Sequence, residues 1–455
     1  LFNKIFGAQM KIDVIILAAG KGTRMGSNAP KVLSELASKP LLQHVIDTCS
    51  QLSNSKLHIV VGVGKNQVKQ SVLTPKGTNW ITQNRQLGTG HAVKQALKSL
   101  RPGATTLIMY GDVPLVNIKT LKKLVSIGKN NLSLLTFNLD KPKGYGRILR
   151  RGNKVAAIVE EKDASTTEKG ITEVNSGIIS TSAKILKQLI PQIKNKNSAK
   201  EYYLTDVIQL ATENKISIKT VNPDSTNEVL GANDKQELQK LERAYHLNIA
   251  EEFMKRGVNF ADTHRVEFRG KVTLGKNSFL DINVIVEGES KIGKNCFIGA
   301  GAVIRNSTLG DGVRVEPYSV IENSSIGEDC KIGPFAHVGP EAWLDKEVEI
   351  GNYVEVKRSK LGSKTKAKHL AYIGDGEVGS SVNIGAGTIF VNYDGKKKHK
   401  TKVGSGAFIG SNSALIAPLQ IGKNSMIGAG SVVTENVPEN KLALGRSRQR
   451  NLKIR

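Results

Sequence analysis

With 455 residues the chain is about three times a typical ~150-residue domain, so two or three domains are expected. Its 39% apolar and 23% charged content is that of an ordinary soluble protein, and 45 glycines point to an architecture that needs them. The net charge of +26 would suit an anionic partner, but the lysines are dispersed and no helix-turn-helix, finger or RNA-binding signature stands among them. The excess charge therefore reads as a solvated surface, and no nucleic-acid partner is expected.

Three cysteines at unrelated spacings, Cys49, Cys296 and Cys330, give neither a disulfide framework nor a metal knuckle, which fits a reducing cytoplasm. The opening LFNKIFGAQMKIDVIILAAG only superficially resembles a secretory leader. Asp13 interrupts its apolar run, and GKGTR stands where small cleavage-site residues belong. No apolar stretch approaches the ~18 residues of a membrane span. Residues 1–9 read as a tail without a structural role, because the pattern begins only at Ile12.

From residue 10 to 233 short apolar runs alternate with helical periodicity. Strands are expected at Asp13–Ala18, Leu57–Val63, Thr105–Tyr110 and Leu132–Leu139. A helix is expected over Gly90–Leu100, where Val93, Ala96, Leu97 and Leu100 recur at helical spacing. Strand and helix in alternation predict an α/β, Rossmann-like domain around a mostly parallel sheet, with ligands bound at the carboxyl ends of its strands.

The first such end is the loop LAAGKGTRMGSNAPKVL, residues 17–33. Gly20-Lys21-Gly22 after a strand suggests backbone N–H groups wrapped around phosphate. It is not a Walker loop, and Met25 stands where the dinucleotide fingerprint has its last glycine. Arg24 and Lys31 add charge that a phosphoryl-transfer transition state would use.

Residues 234–257 carry helix-forming residues with an apolar stripe at Leu238, Leu241 and Tyr245, and end at a glycine, predicting a linker helix. Beyond it the pattern changes. Aliphatic residues recur every six: Leu274, Leu280, Val286, Ile292, Ile298, Ile304, and then, with occasional shorter steps, from Leu309 through Ile350 to Ile384 and from Val403 to Val433. This is the hexapeptide repeat of a left-handed parallel β-helix, predicted over residues 258–455 with a C-terminal tail. The glycines that follow the aliphatic positions are expected at turns of positive φ. Thr388–Lys402 breaks the repeat and reads as an extruded loop.

Several stretches carry a resemblance to a known family. LAAGKGTRM with Pro30-Lys31 resembles the signature of sugar-1-phosphate nucleotidyltransferases. QLGTGHA (86–92), YGDVPL (110–115), GYGRI (144–148), IVEEKDA (158–164), EVNSG (173–177) and EYYLTD (201–206) narrow the likeness. With KHLAYIGD and NIGAGTIFVNYDG in the repeat half, nearly the whole chain resembles the bacterial bifunctional N-acetylglucosamine-1-phosphate uridyltransferase / glucosamine-1-phosphate acetyltransferase. The resemblance implies an enzyme of UDP-N-acetylglucosamine biosynthesis that uses Mg²⁺, UTP and acetyl-CoA, works in the cytoplasm and forms a homotrimer through its β-helix.

Residue by residue, the resemblance makes Asp112 and Asn233 magnesium ligands, a hard-oxygen pair of the kind Mg²⁺ prefers. Arg24 and Lys31 match the catalytic and triphosphate-binding cations. Leu17, Ala18, Ala19, Gly20, Tyr110 and Gly111 match positions around the nucleotide, Gln83, Gly88 and Thr89 positions at the uracil, and Gly146, Glu160 and Asn175 positions at the sugar.

In the repeat half His369 matches the general base of acetyl transfer, a role suited to a group that titrates near neutral pH. Lys357, Tyr372, Asn383 and Lys398 match ligands of glucosamine-1-phosphate. Ala386, Asn392, Tyr393, Ser411, Ala429 and Arg446 match the acetyl-CoA positions. One position departs from the pattern: Gly339 stands where the family carries a phosphate-gripping arginine. The departure motivates an alternative reading, an active uridyltransferase whose β-helix only oligomerises. On the bifunctional reading His337, two residues earlier, would partly substitute for the lost charge.

Overall fold

The computed structural model describes residues 10–20, 22, 29–452 and 454. Arg24 and the tail 1–9 lie outside the described residues. The chain divides into two compact units, 1–244 and 245–455.

In the first unit a nine-stranded sheet runs in the order Ile218–Val221, Leu132–Asn138, Glu173–Ser182, Thr105–Tyr110, Ile12–Ala18, Ser55–Val61, Asn79–Thr82, with the hairpin Arg147–Arg151 / Lys154–Val159 attached. Glu173–Ser182 pairs antiparallel with both its neighbours, whereas the pairings at Ile12–Ala18 are parallel. All seven residues of Ile12–Ala18 are buried. Val14, Ile16 and Ala18 pack into one core and Ile15 and Leu17 into another, as a strand of period two covered on both faces requires. Asp13, the charge that interrupts this run, is fully buried and accepts from the Arg101 Nε at 2.7 Å. The expected helix over Gly90–Leu100 forms as Thr89–Ala96 followed by a 3₁₀ turn at Leu97–Ser99.

The linker is a single helix, Lys235–Lys255, and the division into units falls within it rather than at its ends. Glu242 accepts from the Ala37 N–H at 3.1 Å in the first unit, while Ala250 and Phe253 belong to the core of the second. The linker is thus shared out between two packing environments.

The second unit is a parallel β-helix of hexapeptide coils. Every predicted aliphatic position from Leu274 to Val433 lies in one continuous interior. Val303 pairs with Val320, Val320 with His337, His337 with Glu355 and Glu355 with Tyr372, always in parallel. Between Ile389 and its partner Ala414 the coil is interrupted. The interruption is shorter than the sequence suggests, because Ile389–Val391 is a coil strand with Phe390 fully buried. Only the segment after it projects, closed by an antiparallel bridge between Tyr393 and Lys398.

The glycines of the repeat serve a different purpose from the one expected. Most of those that follow an aliphatic residue do not have positive φ. A Cβ on Gly293 would meet the Gly310 carbonyl oxygen at 2.5 Å, so close stacking of successive backbones is what excludes a side chain. Positive φ is instead shared among other glycines, such as Gly301 and Gly312, and non-glycine residues, of which asparagines such as Asn295, Asn306 and Asn323, whose short polar side chains tolerate the left-handed region, are the most frequent. Tyr318, Phe335 and Tyr353 also take it, and their exposed rings stack with centroids 5.3 and 5.5 Å apart.

Candidate functional sites

The first site opens at the carboxyl ends of Ile12–Ala18 and Thr105–Tyr110, where a parallel sheet is expected to bind its ligand. A cavity of about 270 Å³ is lined by Leu17, Ala19, Gly20, Lys31, Gln83, Gly88, Thr89, Tyr110 and Asp112, all of them predicted from the sequence. Ala18 is buried in the core behind it, and Gly111 donates its N–H to the Leu17 carbonyl at 2.9 Å, tying the two strand ends together. Gln83 donates from Nε2 to the Gly88 carbonyl at 3.1 Å. Gly88 has φ +108°, and a Cβ there would strike the Tyr202 carbonyl oxygen at 2.6 Å, so only glycine lets the 201–206 segment close over this wall.

Lys31 reaches two oxygens at once. Its Nζ donates to Asp112 Oδ2 in a very short ion pair and to Asn233 Oδ1 at 2.7 Å. The backbone N–H of Asn233 is in turn anchored on Glu237 at 2.7 Å. Residues from three distant parts of the chain therefore converge on one cationic point. Two hard oxygen donors aimed at a single cation are a donor set that fits a divalent metal such as Mg²⁺.

The predicted sugar residues form an adjoining cluster. The Asn175 N–H donates to the Gly146 carbonyl at 2.9 Å, and a Cβ on Gly146 would lie 3.5 Å from the Glu160 carboxylate. Glu160 accepts from the Thr205 hydroxyl at 2.8 Å, and burial raises its pKa. Tyr110 joins the two parts, because a Cβ on Gly177, just past Asn175, would meet its ring at 2.4 Å. Its phenol is pushed up, first by burial and then by the charges of Glu160 and Asp112 on either side.

Sequence reasoning missed Val32, Gln86, Ala92 and Glu201, which also line the cavity. Gln86 and Glu201 lie inside two of the motif stretches, and the hydrogen bond from Gln86 to the Ala19 carbonyl could have been found only in three dimensions.

The second unit carries its predicted residues in two adjacent groups. His369 is exposed at the end of the strand Lys366–His369, beside its strand partner Asn352, whose Oδ1 lies 2.9 Å from His369 Nδ1. An amide oxygen only accepts, so Nδ1 carries a proton, and it is the neutral ring that would present its lone pair at Nε2. The Gly387 N–H donates to the Leu370 carbonyl at 3.1 Å, which sets Ala386 one coil on from His369. Backbone bonds from Asn412 to Ala386 and from Gly430 to Ser411, at 2.7 and 2.8 Å, continue the column through Ser411 to Ala429. Arg446 closes it: its Cδ lies 3.8 Å from where a Cβ on Gly430 would stand. Asn383 faces outward two strands along the same sheet from Glu349, beside Lys366.

The other group lies around the corner formed by Leu370. Asn392, nearly buried, donates from Nδ2 to Asp375 and reaches the Tyr372 hydroxyl at 3.4 Å. A Cβ on Gly374, the strand partner of Lys357, would hit both Tyr372 Oη and Asn392 Nδ2, so the absence of a side chain leaves them room to meet. Tyr393 and Lys398 are exposed on the projecting segment, and the charge of Lys398 helps to lower the Asp375 pKa. The largest cause of that lowering is Arg358, which sequence reasoning did not single out. Its guanidinium grips Asp375 through Nε at 2.8 Å and Nη2 at 3.0 Å.

Gly339 is a glycine for backbone reasons. Its φ is +129°, and a Cβ would lie 2.0 Å from the Glu322 carbonyl oxygen. His337, proposed from the sequence as a substitute charge, has its Nε2 3.3 Å from Glu322 Oε1 and is already engaged.

The fold and its sites define a nucleotidyltransferase-type unit followed in the chain by a hexapeptide-repeat transferase unit. The model of the MobA-like NTP transferase domain matches residues 14–138, that of the bacterial transferase hexapeptide matches 323–358 and 400–435, and that of the GMPPB C-terminal domain matches 268–338. The chain is 47% identical to the bifunctional protein GlmU of Acinetobacter baylyi over 97% of both chains. It is 45% identical to that of Marinobacter nauticus, again over 97% of both. A solved UDP-glucose pyrophosphorylase aligns at 16% identity and a TM-score of 0.44, covering 53% of this chain and all of that one. The chain belongs to the family of bifunctional GlmU proteins. No helix among the described residues is long and apolar enough to cross a membrane.

Proposed function

We propose that the second unit transfers the acetyl group of acetyl-CoA to glucosamine-1-phosphate and the first joins the resulting N-acetylglucosamine-1-phosphate to UTP, forming UDP-N-acetylglucosamine and releasing pyrophosphate. The observation that carries the reading is the convergence of Lys31, Asp112 and Asn233 at the mouth of a strand-end cavity, next to the Gly146–Glu160–Asn175 cluster. Asp112 and Asn233 would hold Mg²⁺, which when bound supplies a Lewis acid that neutralises charge on the reacting phosphates. A phosphate oxygen of the sugar attacks the α-phosphorus of UTP, and the bond to the β,γ-pyrophosphate breaks. Lys31 stabilises the phosphate charge, while Glu160 and the backbone around Asn175 orient the sugar.

In the second unit the free lone pair on His369 Nε2 takes a proton as the glucosamine amine attacks the thioester, and CoA leaves as its thiol. Tyr372, Lys357 and Lys398 bind the sugar phosphate, and the edge from Ala386 to Arg446 binds acetyl-CoA. The exposed stack of Tyr318, Phe335 and Tyr353 supports assembly through the β-helix into a homotrimer. Three free, buried cysteines are in keeping with a cytoplasmic location.

The glycine at 339, just past the strand His337–Val338, does not favour the scaffold-only alternative, because the other acetyl-transfer residues are all present and grouped. The test is release of CoA thiol from acetyl-CoA with glucosamine-1-phosphate, beside pyrophosphate release from UTP with N-acetylglucosamine-1-phosphate. Both signals are expected. Pyrophosphate alone would restrict the chain to uridylyl transfer.

A further inference from the structure

Lys31 sits where a metal ion would. Its ammonium lies between Asp112 and Asn233, the two oxygen donors suited to a divalent cation, and satisfies both. The side chains of Lys31 and Asp112 are only 13% and 20% exposed, so the pair is little weakened by water. The Lys31 main chain cannot easily move aside. It lies in the 3₁₀ turn Lys31–Leu33, and Gly22 passes so close that a Cβ there would be 2.8 Å from Lys31 Cβ. The long side chain is the part free to leave.

A divalent cation that takes the Asp112 and Asn233 oxygens must break this ion pair and then face a displaced ammonium of like charge at short range. With no ligand in the cavity, Asp112 is the carboxylate that the ammonium pairs with. When a triphosphate occupies the cavity, the same ammonium gains phosphate oxygens as partners, and the two donors are released to the metal.

We propose that Lys31 is an internal placeholder for the metal, which makes binding of the divalent cation conditional on the nucleoside triphosphate. The inference rests on the assignment of Asp112 and Asn233 as the metal site. Because binding couplings are reciprocal, the metal strengthens nucleotide binding by the same factor that the nucleotide strengthens metal binding.

The experiment measures Mn²⁺ binding by the full-length protein from the electron paramagnetic resonance signal of free Mn²⁺, with and without α,β-methylene-UTP, so that no turnover is needed. For the wild type, the analogue is expected to raise Mn²⁺ affinity by at least about tenfold, within the usual range of such couplings. Lys31→Met, which removes the charge and adds no oxygen donor, is expected to bind Mn²⁺ about tenfold more tightly than the wild type without nucleotide, and to gain much less from the analogue. Asp112→Asn is expected to weaken Mn²⁺ binding under all these conditions. If Lys31→Met binds Mn²⁺ no more tightly than the wild type while Asp112→Asn still weakens binding, the metal site stands and the placeholder is overturned. If Asp112→Asn leaves Mn²⁺ binding intact, the metal-site assignment beneath it fails. The wild-type comparison with and without analogue, corrected for the Mn²⁺ that the analogue binds in protein-free solution, decides the coupling even if a variant folds poorly.

Discussion

The two units assemble chemistry in opposite ways. In the first, Lys31, Asp112 and Asn233 meet across a sheet from remote parts of the chain, and Gly146, Glu160 and Asn175 come from separate strands and turns. In the β-helix, residues one coil apart stack directly, so that Asn352, His369, Ala386, Ser411 and Ala429 form a column because each lies one coil on from the last. A doubly wound sheet brings distant residues to one rim, whereas a solenoid turns sequence period into a line of neighbours. The first unit should therefore be sensitive at single convergent residues, and the second at the backbone contacts that keep its coils in register.

The largest expected effect breaks the second unit without touching the first. His369→Ala removes the only group here assigned to take the amine proton, and acetyl transfer should fall by about 10²–10⁴-fold. Pyrophosphate release from UTP should stay within twofold of the wild type. A parallel fall in both activities would show that the units do not work independently.

The converse substitution is Asp112→Ala, with an expected loss of about 10²–10³-fold in uridylyl transfer and unchanged thiol release. It also leaves the Lys31 ammonium without its carboxylate, so kcat is the sharper readout than thermal stability.

Gly339→Arg tests the solenoid's dependence on backbone contact. It restores the side chain expected from the family pattern but places a Cβ 2.0 Å from the Glu322 carbonyl at a φ of +129°. The strain should cost about 1–3 kcal/mol, seen as a lower urea midpoint, and acetyl transfer should not improve. A more active variant of unchanged stability would mean that the coil can rearrange to accept the arginine.

The smallest effect is a pH dependence in the first unit. Burial, with Glu160 and Asp163 nearby, pushes the Asp206 carboxyl up to about 6 from an ordinary 3.8. Its folded form thus holds its proton more tightly than its unfolded form. The resulting stability is present in full below pH 3.8 and is lost as the pH rises toward 6. Asp206→Asn should melt higher than the wild type at pH 8, and the gap should narrow toward pH 4. An equal difference at both pH values would show that Asp206 is not perturbed.

Much of this was legible in the residues. Hexapeptide spacing marks the interior of the β-helix, because every coil must turn an aliphatic side chain toward the same axis, and all the positions read from it lie in one core. Phe390 was passed over because the extrusion after it masks the period. The strand glycines were assigned to the wrong cause: positive φ and close stacking both exclude a side chain, and a sequence shows only the exclusion. Glu201 and Gln86 escaped notice as pocket residues because their neighbours in space are not their neighbours in the chain.

The sequence by itself determined the two architectures, their order and the chemical character of the groups in each, since periodicity and motif are local properties. Only the tertiary structure decided that the boundary falls inside the linker helix, that Arg358 holds Asp375, and that Lys31 stands between Asp112 and Asn233. Each of these depends on which distant groups are brought within a few ångströms of one another, and linear order does not encode that distance.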